Sequence, residues 1–231
     1  MDAEQRRPDT QEVTIPIGSI ALHGSLVIPS GAPGVVLFAH GSGSSRFSPR
    51  NQFVAEVLQR SWLATLLFDL LTAEEEKIDD RTMQLRFDIP LLTERLVAAT
   101  DWVGTHPMLQ DLPVGYFGAS TGGAAALLAA ARRPNRVAAV VSRGGRPDLA
   151  LPVLGQVRAP TLLIVGESDT VVIKLNQEAR ARMANTQVRL EIIPGASHLF
   201  EETGALDSVA ALARDWLVRH LQPVQVRMRP V

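Results

Sequence analysis

The run Val114-Gly115-Tyr116-Phe117-Gly118-Ala119-Ser120-Thr121-Gly122-Gly123 decides how the rest of the chain is read. Its first four residues suit a short strand, and the alanine-rich stretch Thr121 to Arg133, halted by Pro134, reads as a helix. Between them lies Gly118-x-Ser120-x-Gly122. A strand-to-helix turn this tight forces its central residue into a strained conformation and presses the flanking residues against adjacent strands. Residues with little or no side chain are needed on both sides, and Gly122, Gly123 and Ala124 supply them. The new helix also points its unpaired N–H groups and positive dipole end at whatever Ser120 attacks. The simpler alternative is a glycine-rich loop in which Ser120 is only an N-cap. A phosphate-cradling loop is discounted, because neither G-x-G-x-x-G nor G-K-S/T occurs at this turn.

Apolar segments flank this turn at strand and helix spacing. Val35 to Ala39, Leu63 to Leu71, Val137 to Val141 and Thr161 to Val165 read as buried strands, the first apolar on both faces as a strand covered from both sides must be. Phe53 to Leu58, Leu91 to Val103, Gln177 to Ala184 and Leu206 to Leu221 read as helices. Val188, Leu190 and Ile192 alternate with Arg189 and Glu191, which suits a half-exposed strand near an edge. Upstream, Val13, Ile15 and Ile17, the turn Gly18-Ser19, and the apolar set from Ile20 to Pro29 form an antiparallel hairpin. Strands alternating with helices imply right-handed crossovers and a mostly parallel sheet with helices on both faces, an α/β fold. No linker and no internal repeat divides the chain. The expectation is one domain over residues 1–231, with 1–12 and 222–231 as peripheral tails.

Composition narrows the function classes. Among 231 residues, 23 Lys+Arg stand against 24 Asp+Glu, so a formal net charge of -1 provides no global field for nucleic acid or an anionic membrane. Zero cysteines exclude a disulfide scaffold, a thiolate nucleophile and thiolate-ligated metal. No run of about 18 apolar residues offers a membrane span, and Met1 to Gln11 carries no apolar stretch of signal-peptide type. The expectation is a cytoplasmic protein acting on a small molecule, without a nucleic-acid or membrane partner.

In such sheets ligands bind beyond the carboxyl ends of the strands, so the polar residues directly after each strand matter most. A serine hydroxyl needs a base, usually histidine. Of five histidines, His198 in Pro194-Gly195-Ala196-Ser197-His198 falls between the last strand and the last helix, able to reach over Ser120. Its carboxylate partner is expected to be Asp169, after the strand ending at Val165, with Glu167 in reserve and Asp148 a weaker reserve. As a bland alternative, Asp169 could simply cap the following helix. Negative charge developing on a tetrahedral intermediate needs donors already aimed at it. These are expected from the backbone of Thr121 and of Ser42 in His40-Gly41-Ser42-Gly43-Ser44-Ser45, with His40 orienting the loop rather than acting as a base. Arg46, Arg50, Arg86, Arg143 and Arg146 fall near the same end, and at least one of Arg46 and Arg143 is expected to read an acidic group of the substrate. The charged stretch from Glu74 to Arg81 could form a partial flap, but reads better as a solvated loop. Fewer than twenty residues separate Val141 from Thr161, too few for a helical lid.

Together His40-Gly41-Ser42-Gly43, Gly118-Ala119-Ser120-Thr121-Gly122, Gly166-x-x-Asp169 and Gly195-Ala196-Ser197-His198 resemble an α/β-hydrolase over nearly the whole chain, from about Val13 to Leu221. Within that superfamily the chain is most similar to the small dienelactone-hydrolase-like group, which lacks a cap domain. The string from His40 to Arg46 also resembles bacterial members known only as hydrolases, some fused to a phosphoribosyltransferase-type domain that this length does not accommodate. Dienelactone hydrolases proper use a cysteine, so Ser120 favours ordinary ester chemistry over the dienelactone substrate. The resemblance implies a Ser120–His198–Asp169 triad cleaving a carboxylic ester with no metal or cofactor. The same triad serves acyl transfer, thioester or amide cleavage and perhydrolysis, and a catalytically silent binding module is the alternative of another class.

Overall fold

Residues 9–222 are described by a computed structural model. The hairpin comes first. β1 (Gln11–Ile17) and β2 (Ile20–Val27) run antiparallel around Gly18, whose φ of 59° suits a two-residue hairpin turn. β3 (Val35–Ala39), β4 (Ala64–Phe68), β5 (Val114–Ala119), β6 (Val137–Arg143), β7 (Thr161–Gly166) and β8 (Val188–Ile193) complete one eight-stranded sheet in the order β1-β2-β4-β3-β5-β6-β7-β8. β2 pairs β4 antiparallel, and every later pairing is parallel.

Alternation along the strands divides the core. Leu37 and Tyr116 face one side, among Leu96 and Ala99 of α3 (Ile89–Val103) and Ala126 of α4 (Thr121–Arg132). Phe38 and Phe117 face the other, 5.1 Å apart, among Val54 and Leu58 of α1 (Pro49–Arg60) and Ala213 and Leu217 of α6 (Ala205–His220). β4 and β5 lie on opposite sides of β3, so the chain leaves β3 in one direction and returns on the other. A crevice opens where such a sheet reverses, beyond the carboxyl ends of the strands. Here the loops after β3 and β5 flank it.

Several elements differ from their sequence reading. α1 begins at Pro49, before the apolar stripe becomes visible, because proline suits a first helical turn and the Ser48 hydroxyl accepts the Asn51 N–H. α5 (Thr170–Arg182) begins well ahead of Gln177, its start concealed by the β-branched run Thr170-Val171-Val172. The predicted solvated loop after β4 is instead α2 (Ala73–Thr82), followed by a 3-10 turn at Leu85–Phe87. A capping box explains it: the Thr72 hydroxyl accepts the Glu75 N–H, and the Glu75 carboxylate accepts the Thr72 N–H at 2.8 Å. Between β6 and β7 a 3-10 helix, Pro147–Gln156, packs against α4 and buries Ala150 and Leu154. Of the expected tails, Gln11 and Glu12 belong to β1, and residues 223–231 lie outside the described residues. Among the described residues no helix is long and apolar enough to cross a membrane.

Candidate active site

The turn between β5 and α4 is over-determined by sterics. Ser120 takes φ 51° and ψ −117°, a conformation L-residues rarely adopt. A Cβ at Gly122 would stand 2.1 Å from the Ala39 carbonyl oxygen, and one at Gly118 2.5 Å from that of Gly122. Hydrogen bonds lock what the packing dictates. The Ser120 N–H donates to the Arg143 carbonyl at 3.1 Å, and the Ser120 carbonyl accepts the N–H of Gly123 at 3.0 Å and of Arg146 at 3.1 Å. Ser120 occupies the N-cap position of α4, yet its hydroxyl makes no capping bond. The bland reading of this serine is therefore not what its side chain does.

Asp169 likewise stands at an N-cap, that of α5, without capping it. Its Oδ2 meets Nδ1 of His198 at 2.5 Å. This leaves Nε2 as the ring nitrogen available for proton exchange. The reserve carboxylates are engaged elsewhere. Glu167 accepts the Gly195 N–H at 2.7 Å, steadying the histidine loop, and Asp148 receives two bonds from Arg146. The two loops are joined by backbone as well. The Ser168 N–H donates to the Ala196 carbonyl at 3.0 Å, across a Gly166 so tightly packed that a Cβ would stand 2.4 Å from the Ala196 and Ser197 oxygens.

Ser120 and His198 both adjoin the turn after β6. Arg143 holds the Ser120 N–H, and a Cβ on the next residue, Gly144, would stand 3.3 Å from Cε1 of His198. Among the described residues no hydrogen bond joins the Ser120 hydroxyl to the imidazole. Such bonds are often long without substrate and tighten only in the complex.

The loop after β3 closes the other side. A Cβ at Gly41 would stand 3.3 Å from Cβ of Ser120, and the hydroxyls of Ser42 and Thr121 are 3.3 Å apart. The two residues predicted to supply oxyanion donors are thus brought together, and Thr121, opening α4, has an N–H without an intrahelical acceptor. His40 is buried with both ring nitrogens engaged: Nδ1 lies 3.0 Å from the Gly41 carbonyl, and Nε2 accepts the Leu70 N–H at 3.0 Å. That pair of bonds requires the neutral ring, and burial accordingly lowers its pKa. Its position is that of a loop support, as expected.

The arginines divide sharply. Arg46 is already engaged by carboxylates. Its guanidinium pairs with Asp69 and Glu12, its N–H donates to Asp69 at 2.8 Å, and it lines a groove of about 980 Å³ whose walls include none of Ser120, Asp169 or His198. Arg86 pairs with Asp79 at 2.5 Å and Arg146 with Asp148 at 2.7 Å. Arg143, 8% exposed, has no carboxylate partner among the described residues. Sequence reasoning missed the wall built by α2. Glu76, Asp79 and Arg86 enclose, with the loop from His40 to Ser45, a cavity of about 250 Å³ that adjoins the predicted oxyanion loop but whose walls also include none of Ser120, Asp169 or His198. Burial, with Asp69 and Asp80 nearby, pushes the Glu76 carboxyl upward. Thr72-x-x-Glu75, followed by acidic residues in the first turn, was the signal available for that helix.

Serine, acid and histidine follow β5, β7 and β8 in chain order, the arrangement by which α/β-hydrolases are recognised, and the fold is that of this superfamily. Within it the chain belongs to the dienelactone hydrolase family, whose model matches residues 22–223. It is 62% identical to a dienelactone hydrolase of Anabaena variabilis, whose crystal structure superposes with a TM-score of 0.92 over 94% of this chain and 100% of that one. Two Mycobacterium tuberculosis proteins bearing the provisional name of a phosphoribosyl transferase are 56% identical over 91% of this chain, which spans only 46% of their length. Est1E of Butyrivibrio proteoclasticus, at 16% identity, covers 90% of this chain and 98% of its own with a TM-score of 0.75, a likeness of fold alone. The family and the dienelactone hydrolase neighbour support an enzyme of the hydrolase class.

Proposed function

We propose that the protein is a serine hydrolase that cleaves carboxylic esters of small or water-soluble acyl groups through an acyl-enzyme intermediate. One observation carries this reading: an Asp169–His198 pair, bonded at 2.5 Å, packs against the same turn that holds Ser120 in its strained conformation. Ser120 attacks the ester carbonyl while Nε2 of His198 takes its proton. Asp169 fixes the tautomer and stabilises the imidazolium. The N–H groups of Thr121 and Ser42 receive the oxyanion. The imidazolium then protonates the leaving alkoxide, and in the second step the imidazole activates water to release the acid. Among the described residues no inserted domain separates the strands that carry the triad, which favours this reading of small or water-soluble substrates.

Ser120→Ala is expected to lower kcat on a p-nitrophenyl ester by about 10⁴-fold or more, with the circular dichroism spectrum unchanged. A fluorophosphonate should label Ser120 and no other residue. A folded variant retaining a tenth of the activity, or a wild-type chain that does not label, overturns the assignment.

A further inference from the structure

Arg143 ends β6 directly beside the nucleophile turn. Its Cα pairs with Ala119 in the β5–β6 register, and its carbonyl binds the Ser120 N–H. By strand alternation its side chain shares the face of Ala139 and Val141, towards α1 and α6. There Cζ stands 5.9 Å from the centre of the Phe200 ring, and neither Nε nor Nη1 has an acceptor. Arg50, in the first turn of α1, is near enough to repel this charge, and its own Nε is also buried without an acceptor. Burial, with that repulsion added, pushes Arg143 down to about 10, so it remains a cation at neutral pH.

A buried charge without a counter-charge is costly to fold, and the face of the Phe200 ring returns only part of that cost. Among the described residues the only carboxylate bonded to either arginine is Glu201, 3.3 Å from Arg50, the side chains of Arg50 and Glu201 being 34% and 64% exposed. Such a rim pair is weak and can yield to a better acceptor. Two Nε–H and the two protons of Nη1 make four unused donors. A phosphoryl group presents three terminal oxygens to such a set, where a carboxylate presents two. The amino end of α1 adds a dipole of the favourable sign.

We propose that Arg143 and Arg50 form an oxyanion subsite beside Ser120 that takes a phosphoryl group carried by the ester substrate, Glu201 holding Arg50 until the anion arrives. The substrate class rests on the hydrolase reading above. The subsite itself does not, so the two fail separately.

The test is calorimetric titration of the full chain with inorganic phosphate and, at matched ionic strength, with acetate. Wild type and Ser120→Ala should both bind one phosphate per chain, Arg143→Gln at least tenfold more weakly, and Glu201→Gln severalfold more tightly because the competing carboxylate is gone. The ratio of kcat/KM for a phosphorylated ester over its neutral counterpart should fall at least tenfold in Arg143→Gln. Absence of phosphate binding, equal binding by Arg143→Gln, or preference for acetate overturns the proposal. If Arg143→Gln does not fold, Glu201→Gln decides, and an unchanged phosphate affinity there is equally fatal. Phosphate binding that survives in a chain whose Ser120→Ala variant still hydrolyses esters would reject the serine mechanism and keep the subsite.

Discussion

The turn at Ser120 and the segment from Thr72 to Phe87 both pack against the loop after β3, but different forces hold them. Around Ser120 backbone meets backbone with no room for a methyl group, and the hydrogen bonds secure a geometry that sterics already impose. In the acidic segment little is apolar. Its helix stands on a capping box, on Asp79 pinned by Arg86, and on Glu75 bonded to Arg95 at 2.7 Å. The contrast teaches where each wall can fail: one through volume, the other through charge.

Gly122→Ala tests the steric side and should have the largest effect, about 3 kcal/mol of stability, because the added carbon would overlap the Ala39 and His40 oxygens. Urea unfolding measures it. A loss below about 1 kcal/mol would show that the turn can relax. Asp79→Ala tests the polar side. The carboxylate is 4% exposed and Arg86 20%, so the freed guanidinium partly rehydrates and the cost should be about 2 kcal/mol rather than the larger value of a fully buried pair. The same denaturation experiment checks it, and equal effects for the two substitutions would erase the distinction.

The smallest expected effect is a pH slope. His40 is held neutral, with a folded pKa below its unfolded value. Between those two values the unfolded chain binds the additional proton, so stability is complete above the unfolded value near 6.5 and declines as pH falls below it. His220, lowered by burial in the same direction, adds to the slope. His40→Asn should flatten the dependence of Tm on pH between 7 and 5 relative to wild type. Parallel profiles would mean that the loop after β3 does not depend on the neutral ring.

Legibility in the sequence followed the same division. The elbow could be read because sterics permit few residues there, and Gly118, Ser120 and Gly122 write that restriction into adjacent positions. Asp169 could be separated from Glu167 by its place relative to the strand, although the task Glu167 performs, holding Gly195, depends on a loop 28 positions away. The fates of Arg46 and Arg143 could not be told apart. Both lie near predicted strand ends, and what separates them is that Asp69, just after β4, and Glu12 of β1 converge on one while no carboxylate among the described residues reaches the other. α2 was illegible for want of an apolar stripe. Hydrophobic spacing reveals a helix by its buried face, and Asp79 is the only buried residue of this one.

The stitching of the loops after β7 and β8 has a mechanical consequence. Because Ser168 is tied to Ala196, and Glu167 to Gly195, the imidazole and its carboxylate travel as one rigid body. Ser120 is fastened instead to the turn after β6, and that turn is tied in its own right to β7, where the Gly144 N–H donates to the Ile164 carbonyl at 2.7 Å. The spacing of hydroxyl and ring is therefore carried by the β6–β7 pairing rather than by a bond of their own.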